Sequence, residues 1–202
     1  MPSTIVPTYD GQKKGTWLRH GMGKYTYQYE GFSYDGEWED GLKHGQGKMK
    51  LPDGSVYEGD FLHGEMLGRG RRTWSDGSFY DGDVVRGEKH GRGTMQYPSG
   101  DRYCGDWDQQ RRAGGGTMRT ARGDVYRGGW AKHHYEGRGV SATAAGRVYD
   151  GEWMAGRKTG RGVEVLPDGS AYSGGWLEDR RCDDGSGGVS GGSAEGAPPP
   201  GE

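Results

Sequence analysis

The chain has 202 residues, enough for one or two ordinary domains, yet only 30% are hydrophobic and 44 are glycine. A mean hydropathy of −1.04 with few Leu, Ile and Val excludes a thick aliphatic core. The net charge of −2 leaves no global field for nucleic acid or an anionic membrane, so no nucleic-acid partner is expected. The opening MPSTIVPTYDGQKKG carries no signal-type apolar stretch. No segment approaches the roughly 20 apolar residues of a membrane span. Pro2 also stands where N-myristoylation requires glycine. Two cysteines, Cys104 and Cys182, are too few for a disulfide framework and predict free thiols in a reducing, intracellular setting.

In chain order, residues 1–9 read as an N-terminal extension and 10–184 as one repeat array. A degenerate first repeat covers about 10–33, where His20-Gly21-Met22-Gly23 fits but the spacing is shifted. From there Tyr34, Tyr57, Tyr80, Tyr103, Tyr126, Tyr149 and Tyr172 recur every 23 residues. Each is followed two residues later by glycine, and four later by Trp38, Phe61, Val84, Trp107, Trp130, Trp153 or Trp176. A pair of glycines two apart comes next, such as Gly45 and Gly47, and a last glycine such as Gly54 closes the repeat. Six full repeats are followed by a partial one from Tyr172, where Asp179, Cys182 and Asp183 replace Gly, His and Gly. From Gly185 to Glu202 the Gly/Ser/Pro composition predicts a flexible tail.

Period-two alternation makes each repeat a β-hairpin with Tyr, Gly and the second ring on one face. Leu51-Pro52-Asp53-Gly54 and Leu166-Pro167-Asp168-Gly169 supply tight-turn chemistry between hairpins. The inner glycines are expected opposite the rings, where a side chain would collide. On the other face, first-strand acids such as Asp35 and Glu37 oppose second-strand bases such as Lys48 and Lys50. Cross-strand pairs of that kind would support hairpin register.

The run Tyr34-Asp-Gly36-Glu-Trp38-x-x-Gly41-x-x-His44-Gly45-x-Gly47 resembles the membrane occupation and recognition nexus (MORN) repeat, over roughly residues 10–184. The resemblance implies an all-β, elongated, single-layer twisted antiparallel sheet of stacked 23-residue hairpins, a solenoid-like array stabilised by neighbour contacts. It also implies a non-catalytic scaffold and protein-binding module of the cytoskeleton, similar to stand-alone MORN proteins of cilia and flagella such as radial-spoke head components. On that reading the chain sits in the cytoplasm, in the axoneme of a cilium or flagellum. There its ring-lined face binds a partner segment, with Tyr103, Trp107, Tyr126, Trp130, Tyr149 and Trp153 as anchors. The two strand edges permit an end-to-end homo-oligomer.

Two repeats depart from the pattern. Gln110 and His133 replace the loop glycine of Gly41, Gly64 and Gly87. Residues 109–138 hold seven bases, Arg111, Arg112, Arg119, Arg122, Arg127, Lys132 and Arg138, against only Asp124 and Glu136. This stretch is a candidate docking patch, and the second functional reading is a phosphoinositide- or membrane-associated module using it. Binding specificity is accordingly expected between Tyr103 and Gly146.

No catalytic constellation stands out, and no enzyme is expected. The Gly114-Gly115-Gly116 run lacks the Lys-Ser/Thr of a phosphate loop. His133-His134 has no cysteine to complete a zinc set, so neither a metal nor a cofactor is implied. His20, His44 and His90 are motif residues with an expected turn role, and Cys104 is expected to point outward without activation.

Overall fold

A computed structural model describes residues 6–28 and 31–182. Among these the structure is all-β, with antiparallel strands and no helix. The expected tail from Gly185 lies outside the described residues. The chain divides into two compact units at the start of the tenth strand, between Arg111 and Arg112. The N-terminal unit holds β1 (Thr8–Lys14), β2 (Leu18–Thr26), β3 (Ser33–Glu39), β4 (Leu42–Lys50), β5 (Val56–Leu62), β6 (Glu65–Thr73), β7 (Phe79–Val85), β8 (Glu88–Gln96) and β9 (Arg102–Asp108). The C-terminal unit holds β10 (Arg111–Arg119), β11 (Val125–Ala131), β12 (His134–Ala142), β13 (Val148–Met154), β14 (Arg157–Val165), β15 (Ala171–Leu177) and β16 (Arg180–Cys182). Within each unit the strands follow one another in chain order. The first hairpin starts at Thr8, and Tyr9-Asp10-Gly11 on β1 takes the Tyr-Asp-Gly place of the later repeats.

With one layer, the interior must lie within the sheet. Tyr34, Tyr57, Tyr80, Tyr103, Tyr126 and Tyr149 are each at most 2% exposed. The rings of Tyr34, Tyr57, Tyr80, Tyr126 and Tyr149 lie over the second glycine of their own hairpins, so that a Cβ on Gly47 would come within 2.4 Å of the Tyr34 ring. The Tyr34 hydroxyl donates to the Glu37 carbonyl at 2.8 Å, with the His44 carbonyl at 3.2 Å. The ring four residues on stands edge-on to it, at 5.0 Å for Tyr34 and Trp38. Most of these indoles donate back to the preceding repeat, as Trp38 does to Gly23 O at 2.8 Å and Trp153 to Gly139 O at 2.9 Å.

The two glycines of each pair have different tasks. The second accepts the ring, whereas the first opens a bulge. Gly45 lies at φ +54, and register slips between Gly36 and Glu37 so that Gly45 and Gln46 face no partner residue on β3. The Glu37 carboxylate reaches across and accepts the freed Gln46 N–H at 2.9 Å. Asp60, Asp83 and Glu152 do the same for Arg69, Arg92 and Arg161. The acids predicted to pair with bases across their own hairpin are thus partly committed to its bulge. Outer-face ion pairs run instead between successive hairpins, as in Lys48–Glu58 at 2.5 Å, Arg69–Asp83 at 3.4 Å and Arg92–Asp106 at 3.4 Å.

After the first hairpin, whose loop is Gly15-Thr16-Trp17, the hairpin loops have two residues, both at positive φ, as in Asp40 (46°) and Gly41 (88°). The second loop residue donates its N–H to the previous hairpin, Gly41 to Arg19 O and Gly64 to Lys43 O. Gln110 (φ 70°) and His133 (φ 74°) pay a left-handed strain of about 1 kcal/mol each. Their side chains compensate. Gln110 Oε1 accepts the Lys89 N–H and His133 Nδ1 accepts that of Arg112, each at 3.3 Å. Between hairpins the expected turn is present: Gly54 N–H donates to Leu51 O, and Ser55 donates to the Asp53 carboxylate from both its N–H and its hydroxyl.

Gly47→Ala should therefore destabilise by about 3 kcal/mol through collision with Tyr34. Gly54→Ala, at φ +81° in open space, should cost only about 1 kcal/mol. Urea midpoints of the two variants check the contrast, and equal shifts would remove the role assigned to the ring contact.

Candidate functional site

The six rings expected to anchor a partner do not offer a surface. Tyr103 and Tyr149 are 0% exposed, Tyr126 2%, Trp107 3%, Trp130 5% and Trp153 6%. That expectation is corrected: a single sheet with few aliphatics has only these rings to bury, so they form the core. Burial, followed by the nearby carboxylates, pushes the Tyr57 and Tyr149 hydroxyls up to about 12, and those of Tyr34 and Tyr80 higher still.

What faces outward from the ring layer is a row of cations on one repeat position. In the N-terminal unit, Lys43 sits 5.9 Å over Tyr34 and 5.8 Å over Phe61. Lys89 sits 5.2 Å over Trp107 and 5.9 Å over both Tyr80 and Trp74. Arg19 takes the equivalent place in the first hairpin, 4.0 Å over Tyr25. Burial lowers the pKa of both lysines, and Arg72 adds to the effect at Lys89. In the C-terminal unit, Arg112 lies 4.5 Å over Trp130, Lys158 4.7 Å over both Tyr149 and Trp176, and Arg181 4.8 Å over Tyr172. Cations held against ring faces gain about 0.5–2 kcal/mol each. Met66 and Tyr135 occupy the same position in the remaining hairpins.

The C-terminal unit also carries a carboxylate on this face. Glu164 is 3% exposed and is held by Lys158 at 2.5 Å, Arg181 at 2.9 Å and Arg147 at 3.7 Å. Burial alone would raise its pKa, but the bonds from Lys158 and Arg181 outweigh it and hold the group below the ordinary 4.5. Sequence reasoning missed this triad, although Glu164 stands at the 23-residue position where Met49, Met95 and Met118 lie.

The basic stretch is not assembled into one patch. Strand alternation turns Arg119, Arg127 and Arg138 to the face opposite the rings. Lys132 lies in a hairpin loop at φ 48°, and Arg122 lies in the turn before β11. Arg112 is on the ring face, and its guanidinium reaches His133 O and Nδ1. Arg111 ends the N-terminal unit. His133 Nδ1 is committed to Arg112, a structural use of the residue. His20 Nδ1 accepts from the Asp40 N–H at 3.5 Å, His44 faces Glu39 at 3.1 Å, and Cys104 is exposed.

The MORN repeat model matches residues 18–28, 34–56, 57–79, 80–102 and 149–171, about half of the chain. The chain belongs to the MORN-repeat family. Three solved structures are similar to it more loosely. One is the TCP domain of SAS-4 (dCPAP) of Drosophila melanogaster, in complex with a proline-rich motif of Ana2 (dSTIL). It shares 10% identity over 64% of this chain and 72% of that one, with a TM-score of 0.42. The G-box domain of the microcephaly protein CPAP gives 12% identity over 84% and 93%, and 0.47. The TCP10 domain of Danio rerio CPAP with a STIL peptide gives 10% over 83% and 84%, and 0.34. The MORN repeats at 103–148 fall outside the matched residues yet keep the same hairpin geometry, for example Tyr126 edge-on to Trp130 at 5.3 Å.

The Glu164 triad sets a pH dependence. Its folded pKa is depressed, so its contribution is present above the unfolded value near 4.5 and is lost as pH falls through the folded one. Glu164→Gln should cost about 2–3 kcal/mol at neutral pH and flatten the acid limb of the denaturation midpoint. An unchanged acid limb would remove this role.

Proposed function

We propose that this MORN array is a non-catalytic scaffold that binds partner proteins along the cation-topped ring face. The observation that carries the reading is the row Arg19, Lys43 and Lys89 in one unit, and Arg112, Lys158 and Arg181 in the other. These are charged groups held over the ring layer; Lys158 and Arg181 are paired with Glu164, and the others suit an extended or helical segment carrying acids. The buried rings serve as the platform, and the cations and intervening Met66 and Tyr135 make the contact.

The setting proposed is the cytoskeleton, in the axoneme of a cilium or flagellum, as in the family members that the sequence resembles. An endogenously tagged chain in flagellated cells should concentrate along the axoneme and resist detergent extraction. A diffuse, fully extractable signal would count against this setting. The phosphoinositide reading is the less supported one, because the bases between 109 and 138 point to different faces and loops. Co-sedimentation with phosphoinositide liposomes should not exceed that with neutral liposomes. Strong binding lost in Arg111→Glu/Arg112→Glu would reverse the order of the two readings.

A further inference from the structure

The face opposite the rings is built differently in the two units. In the N-terminal unit its bases are covered by acids of the next hairpin: Arg69 by Asp83, Arg71 by Asp81 at 3.6 Å, and Arg92 by Asp106. Four repeats after Arg69, Arg71, Asp81 and Asp83 stand Arg161, Val163, Ser173 and Gly175. The register is kept, with Arg161 opposite Gly175 and Val163 opposite Ser173, but both acids and one base are gone. Where a carboxylate side chain would stand on β15, the surface falls to the backbone of Gly175. The result is an open groove of about 510 Å³, lined by Arg138, Asp150, Arg161, Val163 and Ser173 over Gly175.

The groove joins an apolar floor to an unpaired cation. Val163 on β14 and Val140 on β12 are each more than a third exposed and stand on either side of Asp150 in the register. The Arg161 guanidinium forms no ion pair among the described residues, because its partner position is glycine. Arg138 faces Glu152, whose carboxylate accepts the Arg161 backbone N–H at 3.2 Å and forms no ion pair with either guanidinium. A free guanidinium beside exposed valine suits a carboxylate, which it can grip with two N–H groups. The Asp150 carboxylate in the same groove disfavours a polyanion and leaves room for a single acid. We propose that this groove is a second docking site, on the face opposite the cation row, for a partner-protein segment in which a glutamate or aspartate stands beside an apolar side chain. The acid pairs with Arg161 in place of the one that Gly175 lacks, and the apolar side chain covers Val163.

The test uses the full chain and an acetylated, amidated hexapeptide alternating leucine and glutamate, with the leucine–glutamine peptide as control. For so small a probe the Kd should be on the order of 1 mM, and the control should bind roughly tenfold more weakly. Titration followed by NMR should shift signals of Arg138, Arg161, Val163 and Ser173 to Gly175. Arg161→Gln should lower the affinity for the glutamate peptide to that for the control. Gly175→Asp restores the acid found at Asp83 and should abolish binding. V163R/S173D, which restores the Arg71–Asp81 pair, is the second sealed form in case the new Asp crowds Cys182, whose Cβ lies 3.3 Å from that position. Asp183→Asn/Asp184→Asn should leave the affinity unchanged. Equal affinity of the two peptides, binding retained in both sealed forms, or shifts gathered on the ring face would each overturn the proposal. So would a gain of roughly tenfold in Asp183→Asn/Asp184→Asn, which would give the groove to the chain's own acids. Tighter binding of inositol trisphosphate than of the glutamate peptide would give it to a lipid headgroup and overturn the proposal too.

Discussion

A tyrosine ring lying flat across a glycine Cα is the contact on which this fold depends. A single sheet has no second layer to cover it, and this chain has too few aliphatic residues to build one. The array therefore makes its interior one ring thick. The glycine gives the ring room against the backbone, the hydroxyl is tied to carbonyls at the bulge, and the tryptophan edge closes the side. The apolar area buried by each ring is of the order that a core leucine or more would supply elsewhere. Repetition then propagates the contact, because each indole also bonds back to the preceding repeat.

The rest of the geometry serves that contact. The left-handed glycine of each pair creates the bulge that brings the strand-two carbonyl toward the tyrosine hydroxyl, and an acid on strand one satisfies the N–H the bulge frees. Left-handed loops fasten each hairpin to the one before. Cations then lie over the outer side of the rings and shield the aromatic layer. Function is accordingly placed on the lid of the core, since the core itself has no surface to spare.

Much of this was legible in the 23-residue spacing: the hairpins, the shared face, the collision of ring and glycine, and the turn chemistry around Asp53. Two expectations failed for physical reasons. Tyr103, Trp107 and their successors form core rather than a binding face, since alternation shows which side a residue faces but not whether neighbouring rings cover it. The bases of 109–138 do not form one patch, since closeness in sequence ignores that strands alternate and loops turn aside. The row through Lys43, Lys89 and Lys158 was present in the same spacing, but Met66 and Tyr135 interrupt its charge pattern. Gln110 and His133 looked like degeneration and are instead acceptors for backbone N–H groups of the preceding hairpin.

The ring-on-glycine interior is tested most directly by following tyrosinate absorbance through an alkaline titration together with a fold-sensitive signal. A phenol whose folded pKa lies above its unfolded value of 10 stabilises the fold below that value and loses the contribution as pH climbs toward the folded one. Tyr34, Tyr57, Tyr80, Tyr126 and Tyr149 should therefore stay protonated past 10, with Tyr57 and Tyr149 ionising only near about 12, together with loss of the fold. Ionisation of all the tyrosines near 10 with the fold intact would contradict the account.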